Sequence, residues 1–195
     1  KNLYEELRVV NASQVDYKSI REVSTDWKEI ELKNVFFKYP NTNNYILKDI
    51  SFEINRGKSY GIIGASGAGK STLIDIILLL LQPSKGDILL DGFSLSEYGN
   101  KIWSTQIGYV PQMPVIIDSS IRKNVAFGLP DDQIDDVKVW KALRMAGFAE
   151  DVEKLDQKLD SFLGERGLRV SGGQRQRISL ARALYDDPSL LILDE

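Results

Sequence analysis

"GIIGASGAGKST", residues 61–72, is the stretch on which the reading of this chain turns. Gly64, Gly69 and Lys70, with Ser71 next in line, have the spacing G-x-x-x-x-G-K-[ST]. Glycines let several backbone N–H groups converge on crowded phosphate oxygens with no Cβ in the way. The flanks agree with that use. "SYGII" (59–63) reads as a strand running into the loop. From Lys70 to Leu81 the pattern is helical, and Pro83 closes it. A helix that starts at the loop turns the positive end of its dipole toward the same oxygens. Gly64, Ala65, Ser66, Gly67, Ala68 and Gly69 then form the cradle, with Thr72 just behind it. Lys70 is placed for the β- and γ-phosphates and Ser71 for a Mg²⁺ ion.

Working outward, composition narrows the chemistry. The 195 residues are 43% apolar and 27% charged, in the range of a globular domain with a subdomain. A net charge of −3 gives no basic field for nucleic acid. There is no cysteine and no histidine, so thiolate metal sites, disulfides and a histidine base are excluded. The longest apolar run, Ile76 to Leu81, is six residues. A membrane span needs about 20.

Residues 1–28 differ in character from the rest of the chain. Leu3, Leu7 and Val10 suggest a short amphipathic helix, with a polar linker behind it. "EIELKN" (29–34) and "DISFEI" (49–54) alternate as half-buried strands, and Asn55-Arg56-Gly57 turns the chain. "GDILLDG" (86–92) and "IGYVPQ" (107–112) are further short strands. "DVKVWKALRMAGF" (136–148) and "GGQRQRISLARALYDD" (172–187) are the clearest helices, the second closed by Pro188. "LLILDE" (190–195) reads as a fully buried parallel strand with an acidic end. The expected architecture is α/β: a phosphate-loop core with a mainly parallel sheet, antiparallel strands in front, and a helical subdomain over about 113–187.

Two more elements carry chemistry. Asp194 sits at the end of the buried strand, where a carboxylate can hold the metal of a nucleotide site. Glu195 comes directly after it, where a carboxylate can orient or deprotonate a water attacking the γ-phosphate. "VSGGQRQR" (170–177) opens a helix with a capping serine and two glycines, Ser171-Gly172-Gly173, a second anion-binding helix start.

These elements, in this order, resemble the ATP-binding cassette, the motor domain of ABC transporters, from about Glu29 onward. The domain reading is therefore residues 1–28 as a lead from a transmembrane domain and 29–195 as the cassette. The resemblance implies that Tyr39 in "FKYP" stacks on adenine, and that Gln112 in "YVPQ" contacts Mg²⁺ and the attacking water. It also implies that "VSGGQ", with Val170 where leucine is usual, is the signature motif through Ser171, Gly172, Gly173 and Gln174. Glu195 would then be the catalytic carboxylate, assisted by Gln112 and Lys70, with Ser71, Gln112 and Asp194 at the metal. "GERG" (164–167) and "DSSIRKNVAFG" (118–128) resemble exporter-type cassettes. "KYPNTNNYILKDI" and "DDVKVWKAL" resemble bacterial flippases for lipid-linked oligosaccharides, with lipid and peptide exporters as rivals.

The resemblance further implies ATP and Mg²⁺ as cofactors, and a second cassette facing the first head to tail around two ATP. It implies a transmembrane domain, in the same chain, and a place on the cytoplasmic side of a membrane such as the bacterial inner membrane. In the family the pattern continues past "LLILDE" with a D-loop, a switch histidine and two more strands, so the expectation is a piece of a longer protein. Other nucleotide-binding classes fit less well. A GTPase needs N-K-x-D, and "NKIW" (100–103) has Trp103 at the aspartate. A soluble cassette of DNA repair or translation shares the three motifs but not the amphipathic lead. A non-hydrolysing nucleotide binder usually lacks an acid where Glu195 stands.

Overall fold

The computed structural model describes residues 26–40, 42–95, 103–164 and 171–194. The chain divides into two compact units, Lys1–Lys58 with Pro83–Trp103, and Ser59–Gln82 with Ser104–Glu195. The expected N-terminal helix and most of its linker fall outside the described residues, as do Val170, Glu195 and residues 165–167 of "GERG".

The first unit is a four-stranded antiparallel sheet in the order β2-β1-β3-β4. Its strands are β1 (Glu29–Phe37), β2 (Leu47–Asn55), β3 (Lys85–Leu90) and β4 (Phe93–Ser94). In β1 the buried positions are first Ile30 and Leu32, then Val35 and Phe37. The alternation changes parity because the register shifts between Leu32 and Val35, as a bulge does when it takes up one extra residue. Asn34 sits there at φ 48. Its amide N–H donates to Ser51 Oγ at 2.9 Å and its side chain to Asp49 Oδ1 at 2.8 Å. Gly86 of β3 lies against this bulge: a Cβ on it would be 2.2 Å from the Asn34 carbonyl oxygen, and its φ is +80. The strand expected over "EIELKN" is thus longer, because the bulge returns Val35 and Phe37 to the core face.

The second unit holds a parallel pair, β5 (Ile107–Val110) and β6 (Leu190–Leu193), with Ile107 opposite Leu190 and Val110 opposite Leu193. Among the described residues it holds five α-helices: α1 (Lys70–Ile77), α2 (Ile121–Val125), α3 (Asp136–Met145), α4 (Ala149–Glu153) and α5 (Gly172–Leu184). Ile121, Val139, Leu143, Val152 and Ile178 form the centre of one apolar cluster that joins α2 to α5. Asp135 caps α3 by accepting from the N–H groups of Val137 and Lys138. Helix α5 packs on β5 so closely that a Cβ on Gly108 would lie 2.4 Å from the Ala183 carbonyl oxygen.

The structure departs from the sequence reading in three places. "SYGII" is not a strand; Tyr60, Ile62 and Ile63 are 49%, 44% and 98% exposed. A strand needs a neighbour to take its N–H and C=O groups, and no described strand pairs with it. The helix from Lys70 ends at Ile77 rather than Leu81. Leu79 turns left-handed at φ 56, and the N–H groups of Leu79 and Leu80 bond back to the carbonyls of Ile76 and Asp75, the hydrogen-bond pattern that closes helices. β6 is not fully buried: Leu191 is 39% and Leu193 59% exposed. Among the described residues β6 has a neighbouring strand on one side only. The mainly parallel sheet is represented by this one parallel pair.

Candidate functional site

The glycine loop enters α1 through two left-handed glycines, Gly67 at φ 76 and Gly69 at φ 93. L-residues rarely adopt such angles, so the turn depends on glycine there. No side chain caps the first turn of α1, which leaves that end to a ligand's oxygens. Lys70 folds back across the loop, and its ammonium donates to the carbonyls of Gly64 at 2.9 Å and Ala65 at 3.1 Å. A Cβ on Gly64 would come within 3.3 Å of the Ala68 Cβ. Residues 59–68 are exposed throughout, as is Ser71, whereas Thr72 turns inward.

Asp194 comes just after β6, and its N–H donates to the Val110 carbonyl at 3.0 Å, extending the parallel ladder by one step. Its carboxylate lies beside Tyr109 of β5 and Asp75 of α1. Burial first, and the Asp194 charge second, push the Asp75 carboxyl above its ordinary range. Burial also raises the Tyr109 phenol, with smaller contributions from the charges of Asp194 and Asp75 and a hydrogen bond to Asp194. Sequence reasoning misses both neighbours. Asp75 is the single acid in the run "STLIDIILLLL", and Tyr109 the single hydroxyl in "IGYV". Those interruptions are the available signal.

Ser171 caps α5 reciprocally with Gln174. Ser171 Oγ accepts from the Gln174 N–H at 3.3 Å, and Gln174 Oε1 accepts from the Ser171 N–H at 2.9 Å. Gly172 and Gly173 are exposed, and a Cβ built on Gly173 meets nothing within 4 Å. Glycine in a helix costs about 0.8–1.0 kcal/mol against alanine, and nothing described in this chain requires it at 173. Gln112 is exposed and shares an open cleft with Pro114, Gly172, Gly173 and Arg175. Tyr39, in the first unit, is 38% exposed and meets Phe37 edge-on, ring centroids 5.0 Å apart.

Within the second unit the structure therefore brings Asp194 together with Tyr109 and Asp75, and Gln112 with Gly172 and Gly173. The ABC transporter family model matches residues 47–195. The chain belongs to that family. As an ABC transporter domain it binds ATP and is of the kind that hydrolyses it for transport, and it carries the phosphate-loop nucleotide hydrolase fold. It is 37% identical over 95% of its length to ABC transporter B family member 21 of Arabidopsis thaliana. It is 38% identical over 86% to multidrug resistance protein 4 of Entamoeba histolytica. It is also 39% identical over 85% to the ATP-dependent lipid A-core flippase of Alkalilimnicola ehrlichii. It spans 14%, 13% and 28% of the lengths of those relatives. A solved structure of a bacterial Atm1-family ABC exporter with ATP bound superposes with a TM-score of 0.86 at 32% identity, covering 98% of this chain and 33% of the other. No helix among the described residues is long and apolar enough to cross a membrane.

Proposed function

We propose that this chain is the ATP-hydrolysing motor domain of an ABC exporter or flippase, residues 29–195 being the cassette and 1–28 the lead from a transmembrane domain. The observation that carries the site assignment is the closed cradle: Lys70 spans the loop to Gly64 and Ala65 at the uncapped start of α1. When ATP enters, its β- and γ-phosphate oxygens replace those carbonyls as partners of the ammonium. The backbone N–H groups of Gly67 to Ser71 and the dipole of α1 hold the remaining charge. Tyr39, 38% exposed in the first unit, would stack on the adenine.

The residues present suit Mg²⁺. Ser71, Asp194 and Gln112 offer hard oxygen donors, and no described group of three or more His, Cys, Asp or Glu residues forms a separate cage. Mg²⁺ prefers one or two carboxylates with the rest of its shell from phosphates and water. The ion would neutralise charge on the β- and γ-oxygens. Glu195 would take a proton from the attacking water, and Gln112 would orient that water.

The unused glycine at 173 supports a partner from outside. Ser171, Gly172 and Gly173 of one copy would close on the γ-phosphate held by Lys70 and Ser71 of another, head to tail, so that ATP joins the pair and hydrolysis releases it. "LLIL" would be a strand of a wider, mainly parallel sheet. The site would lie on the cytoplasmic side of a membrane, the bacterial inner membrane being our reading, with an amphipathic, lipid-like cargo such as a lipid-linked oligosaccharide.

Phosphate release by the whole protein that carries these residues tests the assignment. Lys70→Ala should abolish turnover by preventing ATP binding. Glu195→Gln should still bind ATP, stop turnover and accumulate as a closed pair. Parental hydrolysis in either variant removes the corresponding role.

A further inference from the structure

Arg182 of α5 carries a cost that the packing of that helix does not require. Its side chain is half-buried, and among the described residues its hydrogen bonds go to neutral oxygens. Taking a cation partly out of water with no opposite charge beside it is unfavourable, and an apolar side chain would avoid the cost. Two of these bonds go to Asn124 of α2. The third goes to the Val115 carbonyl at 2.9 Å, three residues after Gln112.

That third bond pins a strap. Gln112 opens it in the cleft with Gly172 and Gly173, at the start of α5. Arg182 holds its other end, nine residues beyond Gly173 on the same helix, or about 13 Å at the helical rise. Three extended residues span about 10 Å and the arginine side chain covers the rest, so 112–115 runs along α5. Burial does not fix this stretch: Met113 is 81% and Val115 66% exposed, and the first buried side chain after Gln112 is Ile116. Pro114 stiffens it. Proline locks its own φ and keeps the residue before it extended, so a fixed Val115 carbonyl leaves Gln112 little freedom. Beyond Val115 the strap is tied again, by the Asn124 amide on the N–H and C=O of Ile117.

We propose that Arg182 is a positioning residue for ATP hydrolysis: through Val115 and Pro114 it holds Gln112 where that side chain orients the attacking water. The proposal rests on the reading of Gln112 as the water-orienting residue. Arg182 acts only through the strap. Loss of its grip leaves ATP held by the loop at 64–71 and slows the chemical step.

The test is phosphate release by the whole protein, well below its melting temperature, in a mutant cycle. Arg182→Met keeps the length and removes the donors. It should lower kcat about 10–100-fold, the cost of a small misplacement, and leave KM for ATP near the parental value. Pro114→Gly leaves the clasp whole and frees the strap. It should lower kcat in the same way, with a melting temperature close to the parent's. In a Gln112→Ala background neither change should slow turnover further, since the residue they position is gone. If Arg182→Met costs the same factor with and without Gln112, it acts by loosening the fold and the positioning role is wrong. Parental kcat in Arg182→Met or in Pro114→Gly overturns it as well. Should Arg182→Met not fold, Arg182→Lys runs the same cycle, because an ammonium lacks the fork that spans Val115 and Asn124. Gln112→Ala alone tests the reading underneath: parental turnover there removes the water-orienting role of Gln112, whatever Arg182→Met does.

Discussion

Arg182 Nη2 and Asn124 Oδ1 meet at 3.2 Å inside the helical part of the second unit. The same guanidinium donates through Nε to the Asn124 carbonyl at 2.8 Å and through Nη1 to the Val115 carbonyl at 2.9 Å. It stacks over Phe127 at 4.5 Å. Burial pushes Arg182 below its ordinary value, yet these contacts are with neutral acceptors. Asn124 is wholly buried, and its amide also satisfies the N–H and C=O of Ile117 at 2.9 and 3.1 Å. The pair ties the segment after Gln112 to α5, the helix that begins at Ser171.

That clasp predicts the cost of Asn124→Ala. The change orphans the Ile117 N–H and one guanidinium donor in a buried site. A loss of about 2–4 kcal/mol is expected from such unsatisfied groups. Chemical denaturation measures it, and an unmoved midpoint would show that the network carries no stability. Arg182→Lys should lose most of the same amount, because an ammonium lacks the fork that reaches Asn124 and Val115 together.

Two glycines predict opposite outcomes. Gly108→Ala drives a Cβ to 2.4 Å from the Ala183 carbonyl oxygen and 2.8 Å from Pro188, so β5 and α5 must part. A loss of about 2–4 kcal/mol is expected from overpacking against backbone. Gly173→Ala meets open space on a helix and should stabilise the domain by about 0.5–1 kcal/mol. Its expected defect is in ATP-driven pairing, measured by size-exclusion chromatography in the Glu195→Gln background. If Gly173→Ala pairs normally, no phosphate approaches that glycine.

How much of this is legible in the sequence obeys a physical rule. The loop at 64–71, the capped start of α5 and the acid after β6 can be read because their chemistry demands particular residues at short spacing. Ser171 and Gln174 stand out as a motif, and the reciprocal cap is what that spacing builds. "SYGII" misleads because strand identity depends on a pairing partner far away in sequence. The apolar pattern after Lys70 overstates the helix because the left-handed turn at Leu79 uses a residue type that gives no warning of it. The bulge at Asn34 and its fit to Gly86 join strands about 50 residues apart and leave no local pattern. Asp75 and Tyr109 stay hidden for the same reason: each is ordinary in its own element, and only the fold brings them to Asp194.

Tyr39 offers a graded test of the nucleotide pocket. Its ring is 38% exposed and lies nearly perpendicular to that of Phe37, centroids 5.0 Å apart. Stacking of this kind is worth about 1 kcal/mol. Tyr39→Ala should weaken ATP binding several-fold and Tyr39→Trp should preserve it, as measured by fluorescence titration. Parental affinity in Tyr39→Ala would place the base elsewhere.

Asp75 makes stability depend on pH in a stated direction. Its carboxyl is raised in the fold, by burial first and by Asp194 second. The folded state therefore holds the proton more tightly than the unfolded chain, whose aspartates titrate near about 3.9. Relative to an ordinary aspartate, Asp75 favours folding fully below that unfolded value. The advantage is lost as pH rises through the higher folded value, and above it the charged form is a standing penalty. Asp75→Asn removes the charge at every pH. In chelator-treated protein the variant should melt above the parent at pH 7, and the gap should close as the pH falls toward about 4. Repeating the pair on an Asp194→Asn background should narrow the neutral-pH gap without erasing it, because burial, the larger cause, remains. A gap that grows on acidification would mean that the Asp75 carboxylate is stabilised in the fold, and the arrangement of charges at the end of β6 would have to be redrawn.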